Sequence, residues 1–248
     1  MNIKKVFICL ILIVLIYVPS FPKNVVKEVL KGTERNLEII LGEVSSLSVR
    51  ATTRILPVNH PDHIRMRRIS KRLVENVNRK NIRYYFKVLD LDYPNAFALP
   101  GGRIYITKKL IDMSDDEELA CVIGHEIGHI EKKHSIRAFE RQLITAKILD
   151  YYSKKSKTVK DNEKLIAIAN AIFNELRYSR ENEREADKYS VDITVKSGYN
   201  PYGMIRFFNK LLKLNKGHED DSLKMLRTHP LTKERIQYTS EYIRKKLH

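Results

Sequence analysis

The spacing of apolar residues divides the chain into an apolar leader, a region with short strands and a long helical region. An unbroken apolar run fills residues 6–18, directly after Lys4 and Lys5. Apolar residues recur at helical spacing in residues 23–50, and Pro61 opens a second, basic helical pattern that reaches about residue 79. Stretches rich in strand formers follow at residues 83–89 and 103–107, and helical patterns dominate afterwards. The pattern therefore predicts an α+β protein that is mainly helical and has a small sheet.

The apolar run near the N-terminus is shorter than the roughly 17 to 25 residues that a membrane-spanning helix needs. Its basic start and apolar centre are typical of a secretory signal. We interpret residues 1–22 as a signal peptide or a short, uncleaved membrane anchor, and residues 23–248 as a single domain with its core at about 60–240. This interpretation predicts an exported protein of the bacterial periplasm or cell envelope, and an uncleaved segment would hold it at the inner membrane.

Composition limits the classes of function. At 248 residues, 43% of them hydrophobic, the chain can bury one substantial core. The net charge of +16 favours an anionic membrane surface as a partner, but the basic residues are scattered and no nucleic-acid-binding motif accompanies them, so we expect no nucleic acid. The basic residues of the helical pattern that begins at Pro61 indicate either a contact with nucleic acid or lipid, or a solvated helix face. Cys121 has apolar neighbours and is interpreted as a buried thiol.

The chemistry of the chain begins with the sequence His125-Glu126-Ile127-Gly128-His129. Ser114 and the acids after it resemble a capping box, which predicts that a helix begins there and runs through these residues. At about 100° per residue, His125 and His129 lie about 40° apart on one face, so both imidazoles can bind one zinc ion. Glu126 lies about 60° from His129, where a general base for the attacking water belongs. The alternative is two ordinary histidines on an amphipathic helix.

A catalytic zinc site needs a third protein ligand. The metzincin extension would place Gly at position 132 and His at position 135, but the chain has Lys132 and Ser135. On a continued helix His134 falls about 180° from His125, so we expect it at the surface. The third ligand must therefore come from elsewhere in the chain.

An acidic cluster at residues 179–187, within a helical pattern that includes residues 165–176, supplies that ligand. Arg180, Glu183 and Asp187 lie within about 60° of one another on a helix, while Glu185 points about 200° away from Glu183. We assign Glu183 to zinc and Asp187 to the ring N–H of a ligand histidine. The alternative is an exposed ladder of ion pairs between residues four apart.

Together these segments resemble the HtpX/BepA group of gluzincin zinc metallopeptidases, which is related to the CAAX prenyl proteases. The resemblance covers roughly residues 60–240. Its landmarks occur in the order of that family: Asn95-Ala96-Phe97-Ala98-Leu99-Pro100-Gly101-Gly102, the HExxH helix, Ser179-Arg180 followed by Glu183, Glu185, Ala186 and Asp187, and Thr228-His229-Pro230 followed by Arg235-Ile236.

The resemblance implies a zincin-like domain whose small sheet edges the active-site cleft. By this resemblance Asn95, Ala96, Phe97 and Ala98 bind the substrate as an extended strand. The resemblance places His229 near the zinc, where it either occupies the open position or steadies the transition state; a turn before Pro230 is the plain alternative. It also gives Arg180 a place at the oxyanion, unless Arg180 pairs with Asp187.

The sequence thus predicts an endopeptidase that holds one Zn²⁺ per chain and hydrolyses peptide bonds in unfolded or misassembled envelope proteins. Two other classes of function remain as alternatives. A basic module that binds nucleic acid or anionic lipid would use the positive charge. A catalytically idle, chaperone-like member of the same fold would have lost a ligand or the base, and the chain keeps His125, Glu126, His129 and Glu183.

Overall fold

The computed structural model describes residues 34–138, 178–215 and 224–247. The predicted leader at residues 1–22 and the helical pattern at residues 165–176 lie outside these ranges. The helical pattern of residues 23–50 is described from Glu34 onwards, where helix α1 spans Glu34–Thr52. In the described part of the chain, no helix is both long and apolar enough to cross a membrane.

Helix α2 spans Pro61–Val74, so it begins at the predicted proline and ends earlier than the predicted residue 79. Its basic residues from Arg67 onwards are exposed, which fits a solvated face, but two of its arginines also contact the next helices. Arg65 donates to the Asp116 carboxylate and to the carbonyls of Ile111 and Ser114, and Arg68 donates to the other oxygen of Asp116. These contacts attach α2 to the start of the HExxH helix.

Among the described residues the sheet has three strands, β1 (Tyr85–Leu89), β2 (Ala96–Leu99) and β3 (Arg103–Thr107), in the spatial order β1-β3-β2. Strand β3 is central: it pairs in parallel with β1 and antiparallel with β2. The β2–β3 turn uses Gly101 and Gly102, both at positive φ, where a side chain would strain the backbone. Strand β2 is therefore an edge of this sheet, as expected for the strand beside the cleft.

The HExxH helix begins one residue later than predicted. Helix α3 spans Lys108–Met113 and has Ser114 as its C-cap. Helix α4 spans Asp116–Glu131 and has Asp115 as its N-cap. The Asp115 side chain accepts from the Glu118 N–H, and the Glu118 carboxylate accepts from the Asp115 N–H, which completes a capping box. The signal was correct, but Asp115 rather than Ser114 fills the capping position.

Four more helices follow in the described part of the chain. They are α5 (Arg180–Lys196), α6 (Gly203–Asn215), α7 (Lys224–Thr228) and α8 (Lys233–Leu247). Helices α4 and α5 touch closely through Gly124 and Gly128, since a Cβ on Gly128 would lie 3.0 Å from the Ala186 carbonyl oxygen. The structure thus confirms a mainly helical α+β domain, with α4 buried between the sheet and the later helices.

Candidate metal centre

The two histidines of the HExxH motif face one point inside the protein. They lie one turn apart on α4, and their Nε2 atoms are 3.0 Å apart. Both residues are buried, as is nearly every residue of α4 from Glu118 to Ile130. The predicted geometry, with both imidazoles on one face, is therefore present.

Glu183 joins the histidines from α5. One carboxylate oxygen is 3.5 Å from His125 Nε2, and the other is 3.3 Å from His129 Nε2. Residues 178 and 179 are not helical, and Ser179 caps a helix that begins at Arg180, so the acidic cluster belongs to the first turns of α5 rather than to one long helix from residue 165. This start leaves Glu183 in the first turn, facing α4.

A fourth side chain, His229, completes the cluster. It directly follows α7, and its Nδ1 lies 3.3 Å from His125 Nε2 and 3.0 Å from a Glu183 oxygen. The four donor atoms lie within 4.8 Å of one another and all four residues are buried. With bonds of about 2.0–2.2 Å, donors of a tetrahedral zinc are about 3.3–3.6 Å apart. Five of the distances between these atoms, 3.0–3.5 Å, lie within or slightly below this range, so the side chains can close around one zinc ion.

Glu126 lies beside the cluster without sharing its ligand position. It is fully buried, and neither carboxylate oxygen has a hydrogen-bond partner among the described residues. His229 Nε2 lies 3.6 Å from its Oε1. Burial raises the pKa of Glu126 above the ordinary range of a carboxyl, although the neighbouring histidines oppose this shift. A buried carboxylate with free lone pairs next to a metal site can accept a proton from water.

Asp187 contacts the His125 ring on the side away from the metal cluster. The cation that pairs with Asp187 is Arg235 and not Arg180. His125 Nδ1 lies 2.9 Å from one Asp187 oxygen. The guanidinium of Arg235 donates to both Asp187 oxygens, at 2.6 and 2.7 Å, and its Nη1 lies 2.5 Å from Glu183. Burial favours the protonated form, yet the charge of Arg235 lowers the pKa of Asp187 below its usual value and that of Glu183 well below. Arg180 is exposed at the first position of α5, and its role at the oxyanion stays a prediction.

The expectation that His134 lies at the surface is wrong. Its exposure is 0%, its Nδ1 lies 3.0 Å from His129 Nδ1, and its Nε2 lies 2.9 Å from a Glu185 oxygen. The prediction assumed that α4 continues, whereas the helix ends at Glu131 and Lys133 has a φ of 58°. This left-handed residue redirects the chain and brings the His134 ring back against His129.

The predicted substrate segment occupies strand β2 and the residue before it. Asn95 accepts from the Thr107 N–H, so in the alternating antiparallel pattern Phe97 also pairs with β3, and the backbone groups of Ala96 and Ala98 point to the outer edge. Both alanines have 0% exposure, and the Ala98 carbonyl accepts from Ser135 Oγ at 3.1 Å. The outer edge of β2 is therefore covered in this conformation.

Three residues around the cluster were missed by the sequence interpretation. Arg235 was noted only as a landmark, His134 was placed at the surface, and Tyr178 was not considered. The Tyr178 ring stacks on His129 with centroids 3.8 Å apart, and its hydroxyl lies 3.1 Å from Ser135 Oγ. The sequence signal for Arg235 was its position five residues after Pro230, and this spacing did not reveal which acid the arginine contacts.

Comparison with known proteins identifies the group to which this site belongs. Residues 62–243 match peptidase family M48. The metalloprotease YcaL of Escherichia coli is 31% identical over 181 residues, which are 72% of this chain and 69% of that protein. The metalloprotease LoiP of the same organism is 31% identical over 186 residues, 74% of this chain and 71% of that protein.

A longer relative matches the same region. The beta-barrel assembly-enhancing protease of Yersinia pestis is 30% identical over 176 residues, which are 68% of this chain but only 36% of that protein. These matches confirm the resemblance to the HtpX/BepA group, and zinc is the metal of the family. The chain therefore belongs to peptidase family M48 and is a zinc metalloendopeptidase.

Proposed function

We propose that the chain hydrolyses peptide bonds of unfolded or misassembled cell-envelope proteins, with His125, His129 and Glu183 as zinc ligands and Glu126 as general base. The observation that carries the proposal is the buried cluster of donor atoms at tetrahedral spacing beside an unpaired carboxylate. A merely structural site would not need an acid held free of hydrogen bonds next to the ligands.

The side chains divide the reaction among them. Zinc, when bound, polarises the scissile carbonyl and acidifies the attacking water. Glu126 takes the proton of that water and then passes it to the leaving amine nitrogen, a transfer helped by a pKa that burial raises. Asp187 lies 2.9 Å from His125 Nδ1, where it can take the ring N–H and leave Nε2 for the metal, and Arg235 keeps Asp187 ionised and in place.

His229 has two opposite roles open to it, and its position favours the inhibitory one. Its Nδ1 points into the cluster at ligand distance from His125 and Glu183. A fourth protein ligand fills the position that a catalytic site keeps for water. We propose that His229 closes the site in a resting state and leaves it when substrate binds.

The substrate strand binds along the outer edge of β2 in this proposal. The outward backbone groups of Ala96 and Ala98 would pair with an extended peptide, with Asn95 and Phe97 beside it. Because Ser135 Oγ now donates to the Ala98 carbonyl, Ser135 must move for that pairing to form. Pairing through the backbone depends little on the side chains of the bound peptide, so the site would accept unfolded segments of varied sequence.

The proposed location is the cell envelope. Two observations support it: the apolar run at residues 6–18, and the similarity to the beta-barrel assembly-enhancing protease of Yersinia pestis. An anionic membrane surface stays a possible partner because of the +16 charge, although Arg65 and Arg68 are already bound to Asp116.

The function is tested by zinc content and casein digestion of the purified protein. We expect one zinc per chain with proteolysis in the unmodified protein, zinc without proteolysis in Glu126→Gln, and loss of zinc in Glu183→Gln. Glu181→Gln is the matched control, since Glu181 is exposed on the same helix as Glu183. Retained turnover in Glu126→Gln would remove Glu126 from the mechanism, and full zinc in Glu183→Gln would require a different ligand.

A further inference from the structure

The His129 ring has a second nitrogen that the proposed reaction does not use. Nε2 faces the metal cluster, 3.0 Å from His125 Nε2 and 3.3 Å from Glu183. Nδ1 faces the opposite way and lies 3.0 Å from Nδ1 of His134. A histidine that binds a metal is held by the partner of its other ring nitrogen, and that partner is usually a carboxylate, a carbonyl or water. Here the partner is a second, fully buried histidine.

The proton positions in this chain of contacts follow from the direction of His129. A neutral imidazole that offers the Nε2 lone pair to a metal carries its proton on Nδ1. This N–H is then the donor to His134, so His134 Nδ1 must be the acceptor and its proton must lie on Nε2. That nitrogen is 2.9 Å from a Glu185 oxygen. An ionised carboxylate has no proton to donate, so this oxygen is the acceptor. Each contact thus has one donor and one acceptor.

The backbone is bent to make this arrangement. Lys133 is the one described residue other than glycine that has a positive φ, 58°. A side chain in the left-handed region is unfavourable, and such conformations persist where surrounding contacts hold them. The contacts made directly after Lys133 are those of His134, which has 0% exposure.

We propose that His134 and Glu185 are positioning residues that fix the tautomer and ring orientation of the zinc ligand His129. The contacts from His129 through His134 to Glu185 form a relay. The carboxylate of Glu185 is 45% exposed, so the relay runs from the buried metal centre to the protein surface. The negative end of the relay makes His129 a stronger donor to the metal. This inference rests on the proposed role of His129 as a ligand, and the two fail in different ways.

The test measures zinc affinity rather than activity alone. Zinc dissociation constants are obtained by competition with a chelator, and the visible absorption of the cobalt-substituted protein reports the ligand geometry. His134→Phe keeps a flat ring but removes the acceptor, and we expect zinc binding to weaken roughly 10–100-fold with an altered cobalt spectrum. His134→Asn places an amide oxygen near the lost Nδ1 and should recover part of the affinity.

The surface end of the relay is tested with a matched pair. Glu185→Ala should weaken zinc binding, Glu185→Gln should restore an acceptor oxygen and part of the affinity, and Glu181→Ala on the same helix should match the unmodified protein. The relay is wrong if folded His134→Phe binds zinc like the unmodified protein, or if Phe and Asn at position 134 weaken binding equally. If His134→Phe does not fold, equal affinity of Glu185→Ala and Glu181→Ala overturns the proposal.

Failure of the proposed function would give a different result from failure of the relay. Absence of both zinc and proteolysis in the unmodified protein would refute the zinc site itself. A zinc-loaded, active protein whose affinity is insensitive to His134 and Glu185 would refute only the relay.

Discussion

Replacing Arg235 with Met should destabilise the zinc-free protein far more than the loss of an ordinary ion pair. Arg235 is 6% exposed and binds Asp187 through two hydrogen bonds while its Nη1 contacts Glu183. Met fills a similar volume over the Phe208 ring but leaves two buried carboxylates without their cation. The change therefore isolates the charge from most of the packing.

The expected magnitude follows from burial. Removing one partner of a buried ion pair costs about 3–5 kcal/mol, because the remaining charge stays desolvated. For a protein of this size that corresponds to a fall in Tm of about 6–20 °C, at about 2–4 °C per kcal/mol. An exposed pair contributes about 0.2–1 kcal/mol. Arg184 and Glu234 form such a pair between α5 and α8, with side chains 40% and 62% exposed.

Arg184→Met is accordingly the matched control, since it removes an arginine that joins the same two helices. Both variants are unfolded by heat and by urea in the presence of a chelator, because bound zinc would itself neutralise Glu183. In a double-mutant cycle, adding Asp187→Asn to Arg235→Met should cost less than the sum of the single changes, by about 0.5–3 kcal/mol. Equal destabilisation by Arg235→Met and Arg184→Met would refute the reasoning from burial.

Three further predictions concern the same region. His229→Ala should raise basal casein digestion, because it opens the position that His229 fills; a fall in kcat of about a hundredfold or more would instead place His229 at the oxyanion. Gly128→Ala should destabilise the fold by about 1–3 kcal/mol in urea unfolding, because the new methyl would lie 3.0 Å from the Ala186 carbonyl oxygen. The lowered pKa values of Asp187 and Glu183 contribute stability above a pH of about 4.5 that is lost as the pH falls, so the urea midpoint of the zinc-free protein should drop between pH 6 and pH 3.5.

The sequence by itself determined the parts of the site that one helix controls. The angle between His125 and His129 and the position of Glu126 beside them follow from helical periodicity, which is set by local backbone geometry. The start of α4 was predicted within one residue, since a capping box needs only neighbouring residues. The same reasoning placed Glu183 and Asp187 on one face of a helix.

Only the tertiary structure decided which residues meet across helices. Asp187 lies 48 positions before Arg235, and helical angles on α5 made the nearby Arg180 look like its partner although α8 supplies the cation. His134 was misplaced because one left-handed residue, Lys133, ends the periodicity on which the angle was computed. Local periodicity fixes directions within an element, whereas partners between elements depend on packing angles and helix ends that arise only when the core is assembled.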